Sequence, residues 1–232
     1  MLEREEIRAL VARGADGLLL IGEDRGPEVY DYLARQQVPT LLAWTHTAQA
    51  PCPSVGFDNR AAMQALTETV LQEGHRQIGM ITAPTQGNDR ARQRIEGIRT
   101  ALAAAGVGAS ALSLIEAPYD IDRAGAAFAE LMALSPRPTV VMCGNDVQAA
   151  GALHRAREMR LRVPEDVSVT GGDDMDIAQI LVPPLTTVQV PHRAMGHEAA
   201  EVLVAMVERQ DTAQGAPLPT RIIRRGSLGR PS

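Results

Sequence analysis

Short, nearly unbroken apolar runs alternate along this chain with longer stretches in which apolar residues return every third or fourth position. The runs are DGLLLIG (16–22), VPTLLAW (38–44), QIGMIT (77–82), SLIEA (113–117), PTVVMCG (138–144), DVSVTGG (166–172) and LTTVQV (185–190). A strand that is apolar at nearly every position has both faces covered, so these runs predict parallel sheet flanked by crossover helices. The helical periodicity falls between them, over 2–13, 27–36, 59–73, 89–105, 122–134, 146–159 and 192–209. Strand and helix therefore alternate throughout, which predicts an α/β fold. No internal repeat is visible, and RQDTAQGAPLPT (209–220) reads as a polar loop.

Composition narrows what such a fold can do. With 232 residues and 45% hydrophobic content, the chain can bury one large domain or two small ones. Its net charge of −5 and lack of a basic run give no electrostatic footprint for direct nucleic-acid binding. No apolar stretch approaches a membrane span. The opening MLEREEIRALVARG is charged and amphipathic, unlike a secretory leader, and predicts a cytoplasmic protein. Cys52 and Cys143 lack the spacing of a zinc site or disulfide framework and read as two reduced thiols.

In an open α/β sheet, ligands bind beyond the carboxyl ends of the strands. That rule selects Trp44, the loop 84–94, Tyr119, Asn145 with Asp146, and Asp173 with Asp174. Within this set GNDRARQRIEGI (87–98) stands out, because three arginines crowd the start of a helix, where the macrodipole disfavours cations. With Ala91, Ile95, Ile98 and Leu102 as the buried stripe, Arg90 and Arg94 share one flank. No GxSxG, Walker A or HExxH motif is present, so nothing points to an enzyme, and neither a metal nor a cofactor is implied.

GHRQIGMI, RIEG, CGNDVQAAGAL, RVPEDVSVTGGDD and PPLTTV, in this order and spacing, resemble the effector-binding core of LacI/GalR-family transcriptional regulators over nearly the whole chain. The resemblance implies two doubly wound parallel-sheet subdomains of periplasmic-binding-protein-like fold joined by crossing strands. It further implies a small sugar-type effector in the cleft between them, a homodimer, and control of DNA binding by hinge closure. Residues 1–82 and 182–212 are expected to form the amino-terminal subdomain, and 83–181 with 213–232 the carboxy-terminal one. Nothing corresponds to the family's helix-turn-helix, and the first strand, helix and second strand of the amino-terminal subdomain have no counterpart. The expected protein is thus an incomplete core that reaches DNA only through a helix-turn-helix missing from this chain. An exported sugar-binding protein of transport is the alternative, which the opening sequence disfavours.

Residue by residue, the resemblance assigns Arg94 and Asp173 as polar effector contacts, with simple mutual pairing as the alternative. Asn145 is both a ligand contact and a helix N-cap candidate, and Asp146 reads as a cap or first-turn acid. Tyr119 and Trp44 are candidate aromatic walls or packing residues. His192 is a candidate contact or a surface residue, Asp58 and Asn59 read as a cap with a cleft role second, and His75 and His197 as structural. Gly172 stands where the family often has an aromatic residue, which predicts a wider cleft. The small residues of NDVQAAGALHRAREM, with Ala150, Gly151 and Leu153, are expected at a dimer interface. The paired Arg90 and Arg94 predict a sugar acid as effector, unless Arg90 pairs with Asp120 or Asp122.

Overall fold

The computed structural model describes residues 2–46, 50–210 and 217–231. In chain order the elements are α1 (Leu2–Ala12), β1 (Leu18–Ile21), α2 (Pro27–Arg35), β2 (Thr40–Ala43), β3 (Ser54–Val55), α3 (Asn59–Gln72), β4 (Ile78–Thr82), α4 (Asp89–Ala104), β5 (Leu112–Glu116), α5 (Ile121–Met132), β6 (Val140–Cys143), α6 (Asp146–Glu158), β7 (Ser168–Asp173), α7 (Ile177–Ile180), β8 (Thr186–Gln189), α8 (His192–Val207) and β9 (Arg221–Ile223). Each of the seven predicted runs coincides with a strand, and each periodic stretch with a helix. The predicted loop 209–220 lies partly outside the described residues.

Helix starts follow local chemistry. Asn88, Asp120 and Asn145 each accept a backbone N–H from the first turn of α4, α5 and α6, from Ala91, Arg123 and Gln148 respectively. Such side chains satisfy donors that the first helical turn leaves unpaired. At α2, Pro27 takes the first position, where its missing N–H costs nothing.

Two sheets form. One has order β1-β2-β3, all parallel; the other has order β5-β4-β6-β7-β8-β9, parallel except for the final antiparallel β8/β9 pair. The chain divides accordingly into a smaller unit, residues 1–58 with 191–219, and a larger one, residues 59–190 with 220–232. These boundaries correct the expected ones at 82/83, 181/182 and 212/213. β4 pairs with both β5 and β6, and β8 with β7 and β9, so both strands and α3 belong to the larger unit. Hydrogen-bond pairing between distant segments decides this, and a hydropathy pattern does not report it.

In the larger unit, β6 and β7 are buried at every position. Their side chains join Phe128 and Leu131 of α5 and Ala149, Ala152 and Ala156 of α6 in one core. Each large side chain so buried contributes about 1.5–3 kcal/mol. The smaller unit packs Ile7, Val29 and Leu33 of α1 and α2 on Leu18, Leu20 and Leu42.

Candidate functional site

The carboxyl ends of β4, β6 and β7 in the larger unit carry a buried polar cluster. Arg94, on the second turn of α4, is 7% exposed, and Asp173, the last residue of β7, is 8% exposed. Arg94 Nε donates to Asn59 Oδ1 at 3.1 Å and Nη1 donates to the Gly144 carbonyl at 2.6 Å. Nη2 faces Asp173 Oδ1 at 3.8 Å, an ion pair too long for a direct hydrogen bond. Two anchors thus fix the guanidinium plane and leave the fork turned toward the carboxylate. Asn59, read first as a cap and second as a cleft residue, orients Arg94. Its partner is not legible locally, because the contact spans 35 positions.

Around this pair each arginine has an acid partner, while Asp146 is held by neutral donors. Arg90 donates from Nη1 to Asp89 Oδ1 at 3.2 Å, and Asp120, one of its expected partners, caps α5 instead. Asp174 accepts from Arg225 Nη2 at 2.7 Å and from Gln189 Nε2 at 2.9 Å. Asp146 is fully buried and accepts from the Thr187 hydroxyl at 2.6 Å and the Met175 N–H at 2.7 Å. Burial pushes its carboxyl up to about 6, opposed by those two hydrogen bonds and reinforced by the nearby Asp173 and Asp174.

Asn145 serves as the α6 cap, accepting from Gln148 N at 2.9 Å, and is half-buried. Tyr119 is 45% exposed ahead of α5. At Gly172 a Cβ would lie 3.0 Å from the Gly144 carbonyl oxygen. Its missing side chain therefore admits the same carbonyl that anchors Arg94.

Two further predicted residues meet in the smaller unit. Trp44, at the carboxyl end of β2, has φ +66°, an uncommon conformation for a bulky residue. Its ring lies 5.1 Å from that of His192 and edge-on to Phe57 at 6.3 Å. Both Trp44 and His192 are half-buried, so His192 is a packed residue rather than a free surface one. A cavity of about 630 Å³ elsewhere in this unit holds none of the predicted residues, and Asp31 is the one charged side chain among the described residues of its lining. The polar cluster carries the facing charges that this cavity lacks.

The expected dimer residues are corrected. Ala150 and Leu153 are 7% and 6% exposed, and a Cβ at Gly151 would overlap the Ile121 carbonyl oxygen and touch Ala124. The small residues of α6 permit close packing on α5 within one chain and leave little surface for a second.

His75 is buried between the Thr139 hydroxyl and the Gly229 carbonyl, each at 2.8 Å, and burial lowers its pKa. His197 is exposed beside Glu201 at 3.3 Å. Cys52 and Cys143 are both free thiols. Among the described residues, no group of three or more His, Cys, Asp or Glu is placed to hold a metal, and no helix is long and apolar enough to cross a membrane.

A family model for the periplasmic binding protein-like domain matches residues 67–228. The chain belongs to that family. Within it, the chain is an effector-binding core of the LacI-regulator type. It is 30% identical over 226 residues to the HTH-type transcriptional repressor CytR of Escherichia coli (strain K12), covering 97% of this chain and 66% of that protein. It is 29% identical over 207 residues to the HTH-type transcriptional repressor PurR of Photobacterium profundum, covering 89% and 62%. The crystal structure of transcription regulator GntR from Chromobacterium violaceum superposes with TM-score 0.89 at 28% identity, covering 97% of this chain and 83% of that one. The chain spans less than two thirds of the length of the curated relatives it matches. The periplasmic binding protein-like fold accounts for the parallel sheets.

Proposed function

We propose that this chain is the effector-sensing module of a cytoplasmic LacI-type regulator, and that its effector is a neutral polyhydroxy compound of the sugar class. One observation carries the reading: the buried Arg94 and Asp173 face each other at 3.8 Å with the guanidinium already fixed by Asn59 and Gly144. A planar set of donors beside a carboxylate is suited to vicinal hydroxyls, each of which donates to one and accepts from the other. A neutral effector is supported by the acid partner that each arginine of the cluster already has. Arg90, which together with Arg94 suggested a sugar acid, has Asp89 as a counter-ion. Asn145 and Tyr119 are the proposed supporting contacts within the larger unit, and Trp44 and His192 are the candidate contacts that the smaller unit carries by itself.

Effector binding shifts the chain toward one hinge state, and a helix-turn-helix outside these residues carries that state to DNA. The same reading includes a homodimer. Its apolar surface is supplied by Ile180 and Val182, which are 78% and 89% exposed, and not by α6. Sedimentation of the wild type and of Val182→Glu tests this; a wild type that stays monomeric at tens of micromolar removes the dimer.

The effector class is tested by a thermal-shift screen of sugars, sugar acids and nucleosides, because a ligand that binds the native state raises stability by mass action. Calorimetry on the hits follows. A neutral sugar should bind better than its aldonate, and Arg94→Gln and Asp173→Asn should each lose more than tenfold. Tighter binding of gluconate than of glucose would restore the anionic reading.

A further inference from the structure

The turn that presents Asp173 is held in an unusual backbone conformation. Asp173 and Asp174 have φ of 107° and 55°. Two consecutive non-glycine residues keep such angles only where the surroundings over-determine them. Part of that constraint is local: Val190 N donates to the Asp173 carbonyl at 3.3 Å, and Arg225 and Gln189 hold the Asp174 side chain. The rest comes from Asp146, in the first turn of α6. Its Oδ2 takes the N–H of Met175, two residues beyond Asp173, and its Oδ1 takes the Thr187 hydroxyl on β8. One carboxylate thus ties α6, β8 and the exit of β7 together. A Cβ at Gly171 would overlap Asp146 Oδ1, so the glycine is what lets the carboxylate into this place. Capping does not explain Asp146, since Asn145 already performs it for α6.

We propose that Asp146 is a positioning residue of the effector site, which sets the Asp173 carboxylate opposite Arg94 by holding the Met175 N–H and the Thr187 hydroxyl. The proposal rests on the reading that Arg94 and Asp173 contact the effector. Removing the carboxylate leaves the Met175 N–H without its acceptor, and the turn relaxes toward ordinary backbone angles. The chemistry makes a sharp distinction between two replacements. Asparagine still accepts from Met175 N–H through its carbonyl and donates its NH₂ to the Thr187 oxygen, which a hydroxyl can accept. Alanine does neither.

The experiment uses the full chain in four variants: Asp146→Ala, Asp146→Asn, Thr187→Val and Asp173→Asn. Affinity for the best sugar of the screen is measured by calorimetry, well below the melting temperature of each variant, and exchange of the Met175 amide is measured without ligand. Asp146→Ala should weaken binding more than tenfold and speed Met175 exchange more than tenfold. Asp146→Asn should stay within threefold of the wild type on both readouts, a rescue that lost packing volume alone would not explain. If Asp146→Ala does not fold, Thr187→Val carries the test, with three- to tenfold weaker binding expected. Wild-type affinity and wild-type Met175 protection in a folded Asp146→Ala, or in Thr187→Val where that variant carries the test, overturns the proposal and leaves the effector reading standing. Wild-type affinity in Asp173→Asn overturns the reading instead. If no sugar binds, Met175 exchange alone decides whether Asp146 holds the turn.

Discussion

The two units set their candidate contacts in frames that are buried to different extents. In the larger unit, Arg94 and Asp173 are more than nine-tenths buried, and strands β6 and β7 beside them are covered on both faces. In the smaller unit, Trp44 and His192 are half-buried, Leu19 and Ile21 of β1 are 45% and 47% exposed, and α8 buries only Met195 and Ala199 of its sixteen residues. The contrast has a physical reason. A charged pair is directional and its strength depends on a dry, rigid setting. An aromatic face binds by area and tolerates a looser frame.

Substituting at one member of each pair should separate the two units most clearly. Arg94→Leu takes away the cation that faces the buried Asp173, and breaking a buried pair in this way costs about 3–5 kcal/mol. Trp44→Ala removes a half-exposed ring and should cost about 1–2 kcal/mol, well below the range for a fully buried one. Urea unfolding of both variants checks this, and equal losses would erase the distinction between the units. Next in size is Gly151→Ala. The added methyl would meet the Ile121 carbonyl, which is backbone and cannot turn aside, so α5 and α6 must separate. Overpacking of this kind costs about 1–3 kcal/mol. Gly151 also sharpens the dimer question. A variant that loses thermal stability with its association state unchanged is the outcome expected of an α6 that faces inward.

The buried carboxylate of the larger unit makes a prediction about pH. Asp146 titrates near 6 in the folded chain against an ordinary value of 3.8, so the native state holds the proton through the window between them. A folded state that binds more protons loses stability as pH rises. The contribution of Asp146 is therefore greatest below about pH 4 and is lost as pH rises through about 6. Asp146→Asn does not ionise. Its stability relative to the wild type should improve by on the order of 2 kcal/mol between pH 4 and pH 7, since each pH unit between the folded and unfolded titrations is worth about 1.4 kcal/mol. Parallel melting curves across that range would remove the effect.

The same contrast between local and distant contacts separates what the sequence disclosed from what it concealed. Runs such as PTVVMCG and caps such as Asn145 are local, and the structure has a strand and a cap there. The family motifs single out Arg94 and Asp173, and the fold brings them face to face. Other features depend on pairing across the chain. β9 is three residues long and is a strand only because it lies antiparallel to β8. Asn59 reaches Arg94 from α3, and Asp146 reaches Thr187 from 41 positions away. The small residues of α6 mislead for the same reason. Their spacing announces close helix packing, but whether the partner is α5 or a second chain is a tertiary fact. Arg90 is the opposite case, since its partner Asp89 is its own neighbour, a contact that helical spacing underrates beside acids farther along.

The smallest effect expected lies in the smaller unit, and its sign is the informative part. Gly196 sits inside α8, and a Cβ built there has nothing within 4 Å. Alanine in a helix interior restricts the unfolded chain more than glycine does, and Gly→Ala at a compatible position stabilises by about 0.4–1 kcal/mol. Gly196→Ala should therefore raise the melting temperature, whereas Gly151→Ala, the same exchange in a helix of the larger unit, should lower it. Calorimetric melting of the two variants side by side checks the pair. If Gly196→Ala destabilises instead, that flank of α8 is covered in solution. The smaller unit would then be as closely packed as the larger, and the comparison between the two would fail.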